Sequence, residues 1–256
     1  MMDQNKNMFW GSFSAGQASD DKLRRHPEAI EMSRAEMFLA SCNNILRNVY
    51  GFATAVEKGY ATDAAGKPLP LFTYPAIEYL QQFDLSNKAI FEYGAGGSTL
   101  FWQQRAKAVV SVENNAGWYN HLKPQLAANV QLHLAEGDQF PWFIEQQANN
   151  FDIIIIDSAG YRYDCASVAV SKLNSGGLII LDNADWHPNT AALLRQQGLL
   201  QVDMTGFKPG ECHTSTTSLF FHREFNFTAS AGRQPHFGMG AKLIHSADWD
   251  KPYAKR

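Results

Sequence analysis

No apolar run in this chain is long enough to cross a bilayer. The longest, Ile153 to Ile156 and Leu178 to Leu181, are bracketed by acids or glycines and fall far below the roughly 20 residues a membrane helix needs. Cysteine is scarce as well: Cys42, Cys165 and Cys212 are odd in number, widely scattered and without Cys-x-x-Cys spacing. That argues against a disulfide framework or a zinc knuckle, and the three read as reduced packing residues. An excess of one charge is also missing. The 22 Lys and Arg face 25 Asp and Glu, for a formal net charge of -3, and no basic cluster stands out, so nucleic acid is an unfavoured partner. With 45% hydrophobic and 18% charged residues the composition does not indicate disorder. The N-terminus, Met1-Met2-Asp3-Gln4-Asn5-Lys6-Asn7, has neither the basic start nor the apolar stretch of a secretory signal, and the expectation is a cytoplasmic protein.

What the chain does have is alternation. Short β-rich runs at Ala89 to Tyr93, Ala108 to Val112, Val130 to Leu134, Asp152 to Asp157 and Gly177 to Leu181 are separated by helical stretches. Such alternation predicts a doubly wound parallel sheet with helices on both faces, and 256 residues suffice for one such core with an appendage. Two further strand-like runs, Leu199 to Met204 and Ser218 to His222, have no clear helix between them and predict an antiparallel hairpin at the sheet edge. Ahead of the core, Ser33-x-x-Glu36 has the form of a capping box. Phe38, Cys42, Ile45, Leu46 and Val49 recur at helical steps, so that one face is expected to pack on the core, or to serve as a homodimer contact or a lid. The expected organisation is an arm and helical extension over 1–72, a ligand-binding domain over 73–225, and an irregular tail over 226–256.

The chemistry concentrates where strands end. Ala89 to Tyr93 opens into Gly94-Ala95-Gly96-Gly97-Ser98-Thr99, a strand, a tight turn and a helix start. Glycines let backbone approach a ligand closely, and free amides at a helix start favour an anionic or polar group. In a doubly wound sheet the ligand lies beyond the carboxyl ends of the strands. Four of those ends are acidic: Glu113 follows the second strand, Glu136-Gly137-Asp138 the third, Asp157-Ser158 the fourth and Asp182-Asn183 the fifth. Glu113 is placed to accept ribose hydroxyls, and Asp138 to receive an adenine amino group.

On these residues the chain resembles the class I S-adenosylmethionine-dependent methyltransferases, from about Tyr74 to His222. Glu92-Tyr93-Gly94-Ala95-Gly96 looks like the family's first motif, with Ser98 in place of its third glycine. Glu113 matches its ribose-binding acid, Asp138 its adenine contact and Asp157 the acid of its fourth motif. The resemblance implies a Rossmann-like seven-stranded sheet whose last strand is antiparallel. It also implies S-adenosyl-L-methionine as cofactor, held by Glu92, Tyr93, Gly94, Ala95, Gly96, Ser98, Glu113, Asn114, Asp138, Asp157 and Ser158. Asp157 with Asp182-Asn183 is further similar to the metal site of the catechol and caffeoyl-coenzyme A type O-methyltransferases. Two carboxylates and an amide oxygen suit Mg²⁺, Mn²⁺ or Ca²⁺. Where those enzymes place a lysine three residues after the first acid this chain has Gly160, so His187 is the candidate base and Asp157 its catalytic partner.

The expectation is thus a methyltransferase acting on an oxygen of a small molecule, with a divalent cation. Tyr161, Trp186 and His213 are candidate pocket residues, and Lys208 to His213 a candidate flap. A nicotinamide-dependent oxidoreductase is the rival enzyme class, but its Gly-x-Gly-x-x-Gly pattern fails at Thr99. A non-catalytic nucleoside-binding protein of the same fold is the third reading.

Overall fold

The computed structural model describes residues 33–243. Its contacts divide the chain into two units, Leu46–Met239 and a second formed by Met1–Ile45 with Gly240–Arg256. In the second unit, α1 (Arg34–Asn44) starts on the predicted capping box: Ser33 N donates to Glu36 Oε2 at 2.6 Å and Glu36 N to Ser33 Oγ at 3.3 Å. None of the residues of α1 is buried. The N-terminal arm and the end of the tail, residues 1–32 and 244–256, lie outside the described residues.

The larger unit is a seven-stranded sheet flanked by helices, the doubly wound arrangement expected. In chain order come α2 (Phe52–Lys58), α3 (Tyr74–Leu80), β1 (Ala89–Tyr93), α4 (Gly97–Trp102), β2 (Ala108–Glu113) and α5 (Ala116–Leu122). Then follow β3 (Val130–Leu134), α6 (Gln139–Trp142), β4 (Phe151–Ile156), α7 (Arg162–Ala169), β5 (Leu173–Leu181), α8 (Pro188–Gln196), β6 (Leu200–Phe207) and β7 (Thr214–Phe221). The sheet order is β3-β2-β1-β4-β5-β7-β6. Strands β1 to β5 pair in parallel, and β7 runs antiparallel to both β5 and β6. This is the seven-stranded Rossmann-like sheet with an antiparallel edge hairpin. Both hairpin strands run longer than the sequence runs imply, because Thr205-Gly206-Phe207 and Thr214 to Thr217 pair across the register despite their polarity.

The core explains why β4 reads Ile-Ile-Ile-Ile rather than alternating. Successive strand side chains point to opposite faces, and here both faces are covered. Ile153 and Ile155 join Ile77, Leu80, Phe101 and Trp102 on one side. Ile154 and Ile156 join Cys165, Ala169, Ala191 and Leu194 on the other. Cys165 is therefore the packing residue expected, whereas Cys42 and Cys212 are exposed and not part of any core. Chain order reverses between β1 and β4, which leaves a crevice above their carboxyl ends. Among the described residues no helix is long and apolar enough to cross a membrane.

Candidate active site

The crevice holds a cavity of about 1210 Å³. Its floor is the glycine turn Gly94 to Ser98, its sides are Glu113 to Asn115 with Trp118, and Asp157 with Ala159. Pro209, Gly210, Glu211, Ala61 and Leu69 are also part of its lining. Two glycines make this geometry possible for different reasons. Gly94 has φ +85°, and a Cβ there would lie 2.6 Å from the Asp157 carbonyl oxygen, so the turns after β1 and β4 can touch only because it has no side chain. Gly96 is extended, and a Cβ there would meet nothing closer than Trp118 at 3.9 Å. Its missing side chain leaves open space in the cavity floor.

Glu113 ties the turns together. It is 6% exposed, its Oε2 accepts from Ala95 N at 3.0 Å, and its Oε1 accepts from Asn114 N and Asn115 N at 2.9 and 2.8 Å. A carboxylate held by three amides keeps lone pairs for the hydroxyls of a sugar in the cavity. Trp118 Nε1 donates to Ala95 O at 2.6 Å, which lays an indole along the glycine turn. Behind that turn, Thr99 Oγ1 donates to Glu92 Oε2 at 2.5 Å and accepts from Gly96 N at 2.9 Å, while Ser111 Oγ donates to the same Glu92 oxygen at 2.8 Å. Glu92 is fully buried and its Oε1 has no partner. Burial pushes its pKa up to about 7, against the pull of the Ser98, Thr99 and Ser111 hydroxyls.

Of the expected cofactor residues, Gly94, Ala95, Gly96, Ser98, Glu113, Asn114 and Asp157 line the cavity, and Glu92 braces it from behind. Three others lie outside that lining. Tyr93 faces the opposite core and donates its hydroxyl to Pro141 O at 2.7 Å. Asp138 is exposed at the start of α6, outside the lining. Ser158 is 1% exposed and caps its own turn by donating to Gly160 O at 2.5 Å. Sequence reasoning missed Trp118, the Ala61 and Leu69 wall, and the bracing role of Thr99. The helical spacing of Trp118 after the Asn115 cap was the one available signal.

At the ends of β4 and β5 the structure does gather Asp157, Asp182 and Asn183, but it fills their oxygens with protein cations. Arg162 Nη2 donates to Asp157 Oδ1 at 2.9 Å, Nε to Ser158 O at 2.9 Å, and Nη1 to Asp182 O. Lys208 Nζ donates to Asp182 Oδ2 at 2.5 Å, and Thr217 Oγ1 to Asp182 Oδ1 at 2.7 Å. With the Asn183 amide oriented by its neighbours, its nitrogen donates to Asp182 Oδ2 and its oxygen accepts from Lys208, both at 2.9 Å. Burial and the Asp182 charge push the Asp157 pKa up, while Arg162 and Lys208 oppose that rise. Among the described residues no three His, Cys, Asp or Glu side chains converge on a cation position. The donor set therefore does not fit the divalent metal that the resemblance implied.

His187 opens α8 and lines a separate cavity of about 360 Å³ with Tyr161, Arg162, Tyr163 and Asn189. Arg162 links the two cavities, since it lines the smaller and pairs with Asp157 in the larger. Burial and the Arg162 charge lower the His187 pKa, so its imidazole is neutral near pH 7. Tyr161 belongs to this smaller cavity, whereas Trp186 and His213 line neither and are largely exposed.

Fold and site together define a doubly wound protein with a large cavity at its switch point. No protein-family model matches the chain, and no curated protein matches it either. Among solved structures it is similar to precorrin-6y C5,15-methyltransferase from Geobacter metallireducens GS-15, at 18% identity over 65% of this chain and 95% of that one, with a TM-score of 0.47. It is also similar to spermidine synthase from Thermotoga maritima, at 10% identity over 61% and 60% of the two chains and a TM-score of 0.45. A third is the N-methyltransferase NodS from Bradyrhizobium japonicum WM9, at 13% identity over 53% and 85% and a TM-score of 0.39.

Proposed function

We propose that this chain is an S-adenosylmethionine-dependent methyltransferase whose acceptor is an oxygen of a small molecule. The observation that carries the reading is Glu113: its carboxylate is fixed by Ala95, Asn114 and Asn115 amides beside an open glycine floor, a cradle for a ribose next to a polar tail. Gly94, Ala95, Gly96 and Ser98 would hold the methionine end, Glu113 and Asn114 the ribose, and Trp118 offers a flat face near Gly96. The bound cofactor supplies an activated methyl group on a sulfonium. The protein's work is then alignment, exclusion of water and removal of the acceptor proton. His187 is the candidate base, because a neutral imidazole accepts a proton and its cavity adjoins the Asp157 and Arg162 pair.

The nicotinamide reading loses ground at Thr99. In the dinucleotide fingerprint the third glycine permits close helix-to-strand packing. Here a fully buried threonine fills that position and bonds both Gly96 and Glu92. Calorimetric titration with S-adenosylhomocysteine and with NAD⁺ tests the choice: the first is expected to bind and the second not. Binding of NAD⁺ alone would overturn the proposal, and a methyl-acceptor screen separates an enzyme from a binding protein.

A further inference from the structure

The expected metal ligands are assembled, yet the space between them is taken. Asp182 and Lys208 form an ion pair at 2.5 Å with side chains only 2% and 1% exposed. A dry carboxylate without a counter-ion is costly, and each of these two neighbouring acids has its own cation, Arg162 for Asp157 and Lys208 for Asp182. The charges therefore cancel one for one. A dication added to this set would leave two uncompensated positive charges beside the place of a sulfonium. Lys208 reaches its position from the turn that joins β6 and β7, and the three residues after it, Pro209, Gly210 and Glu211, line the large cavity.

We propose that Lys208 is the resident cation of this site: its ammonium takes, between Asp182 and Asn183, the place a divalent metal would need, and the same bond fastens the Lys208-to-Glu211 turn against the cofactor cavity. The second half rests on the methyl-donor reading above; the first does not. Lys208 is accordingly a positioning residue, and the site works without a metal. A lysine serves here because its ammonium is a compact point charge with three donors, two of which meet Asp182 Oδ2 and the Asn183 amide oxygen.

The test is Mn²⁺ uptake by the full chain, read as loss of the free-ion resonance signal, alongside S-adenosylhomocysteine affinity. Wild type is expected to take up no Mn²⁺ at this site, and chelation to leave its affinity for the nucleoside unchanged. The Lys208→Ala variant frees Asp182 and Asn183 and is expected to bind one Mn²⁺. Adding Asp182→Asn to it removes a ligand carboxylate and weakens that binding by more than the roughly 10–100-fold that losing a merely supporting group costs. Lys208→Arg restores a cation, so it takes up no Mn²⁺ and recovers most of the nucleoside affinity that Lys208→Ala loses. Stoichiometric Mn²⁺ on wild type that disappears with Asp182→Asn would overturn the proposal, as would a folded Lys208→Ala that binds none. If Lys208→Ala does not fold, the Asp182→Asn, Lys208→Met pair removes both charges together. It is expected to take up no Mn²⁺ and to bind the nucleoside about tenfold more weakly, about 1.4 kcal/mol; unchanged affinity would sink the tethering. Wild type that ignores S-adenosylhomocysteine altogether would refute the methyl-donor reading while leaving the Mn²⁺ result to decide the cation.

Discussion

Replacing Gly96 with leucine separates ligand binding from folding more cleanly than any other single change at this site. Its backbone, φ 178° and ψ -143°, is extended and open to any residue, so the substitution carries no backbone strain. The added Cβ meets only the Trp118 indole, at 3.9 and 4.0 Å, which is ordinary contact distance. The remaining atoms must project into the cavity over the turn. Stability should therefore change by less than about 1 kcal/mol, as for substitutions away from packed features. A ligand lying on that floor must be displaced, and affinity for S-adenosylhomocysteine is expected to fall by at least about 100-fold, or about 2.8 kcal/mol. Gly94→Ala is the control of opposite kind. Its φ of +85° and a Cβ 2.6 Å from Asp157 O impose strain on the fold itself. The positive φ alone costs roughly 1–2 kcal/mol, so the melting temperature should drop by several degrees at roughly 2–4 °C per kcal/mol. Calorimetry and thermal denaturation on both variants decide the matter. A Gly96→Leu protein that melts like wild type and binds the nucleoside equally well would refute the placement of the ligand.

Glu113→Ala removes the acceptor of three backbone amides and, in this reading, of the ribose hydroxyls. Its Kd for S-adenosylhomocysteine should rise by about 10–100-fold, the worth of one charge-assisted hydrogen bond at about 1.5–3 kcal/mol, and titration showing no change would count against the ribose assignment. Arg162→Met leaves Asp157 uncompensated and frees the Ser158 and Asp182 carbonyls; urea denaturation should show a loss of about 3–5 kcal/mol. Glu92 carries a pH dependence. Its folded pKa of about 7 lies above the ordinary value of 4.5, so the folded state holds the proton more tightly. That contribution is fully present below pH 4.5 and is lost as pH rises toward about 7, an order of 3 kcal/mol across the window. Chemical denaturation of Glu92→Gln at several pH values should give a flatter profile between these limits, and a profile parallel to wild type would show that another group is responsible.

The central strands were legible because both-face burial writes itself into sequence as unbroken apolar runs, as at Ile153 to Ile156 and Leu178 to Leu181; Ala89 to Tyr93 and Val130 to Leu134 match the observed β1 and β3 residue for residue, although β3 is an edge strand with no buried residue. The polar halves of β6 and β7 escaped notice, since Thr205 to Phe207 and Thr214 to Thr217 pair with each other at an edge where no apolar pattern is needed. Acids at strand ends were equally visible, yet their partners were not. Lys208 follows Asp182 by 26 residues, and nothing in local spacing reveals that a hairpin turn returns it to the end of β5. The orientation of Asp138 was not legible either, because the pattern of an acid after a strand does not say whether the following turn aims it inward or, as here, leaves it exposed.

That asymmetry bears on how such a rim evolves its chemistry. An acid closing a parallel strand arrives by topology, whatever the residue later does, because every crossover delivers its strand end to the same edge. The counter-charge has no such constraint. It can come from a metal, from the following helix as with Arg162, or from a distant turn as with Lys208. Asp157 and Asp182 sit on adjacent parallel strands, in register through Ile156 and Leu181, so their mutual repulsion must be answered locally. In this protein the answer is two side chains, each within hydrogen-bond distance of one acid and each anchored on a different element. Binding at the rim is thereby coupled to the β6–β7 turn and to the start of α7 rather than to the concentration of an ion. Residues flanking those two anchors, Pro209 to Glu211 on one side and Gly160 to Tyr163 on the other, line the larger and the smaller cavity respectively. Charge compensation and part of the lining of each cavity thus come from the same two segments, which can change without disturbing Glu113 or the glycine turn.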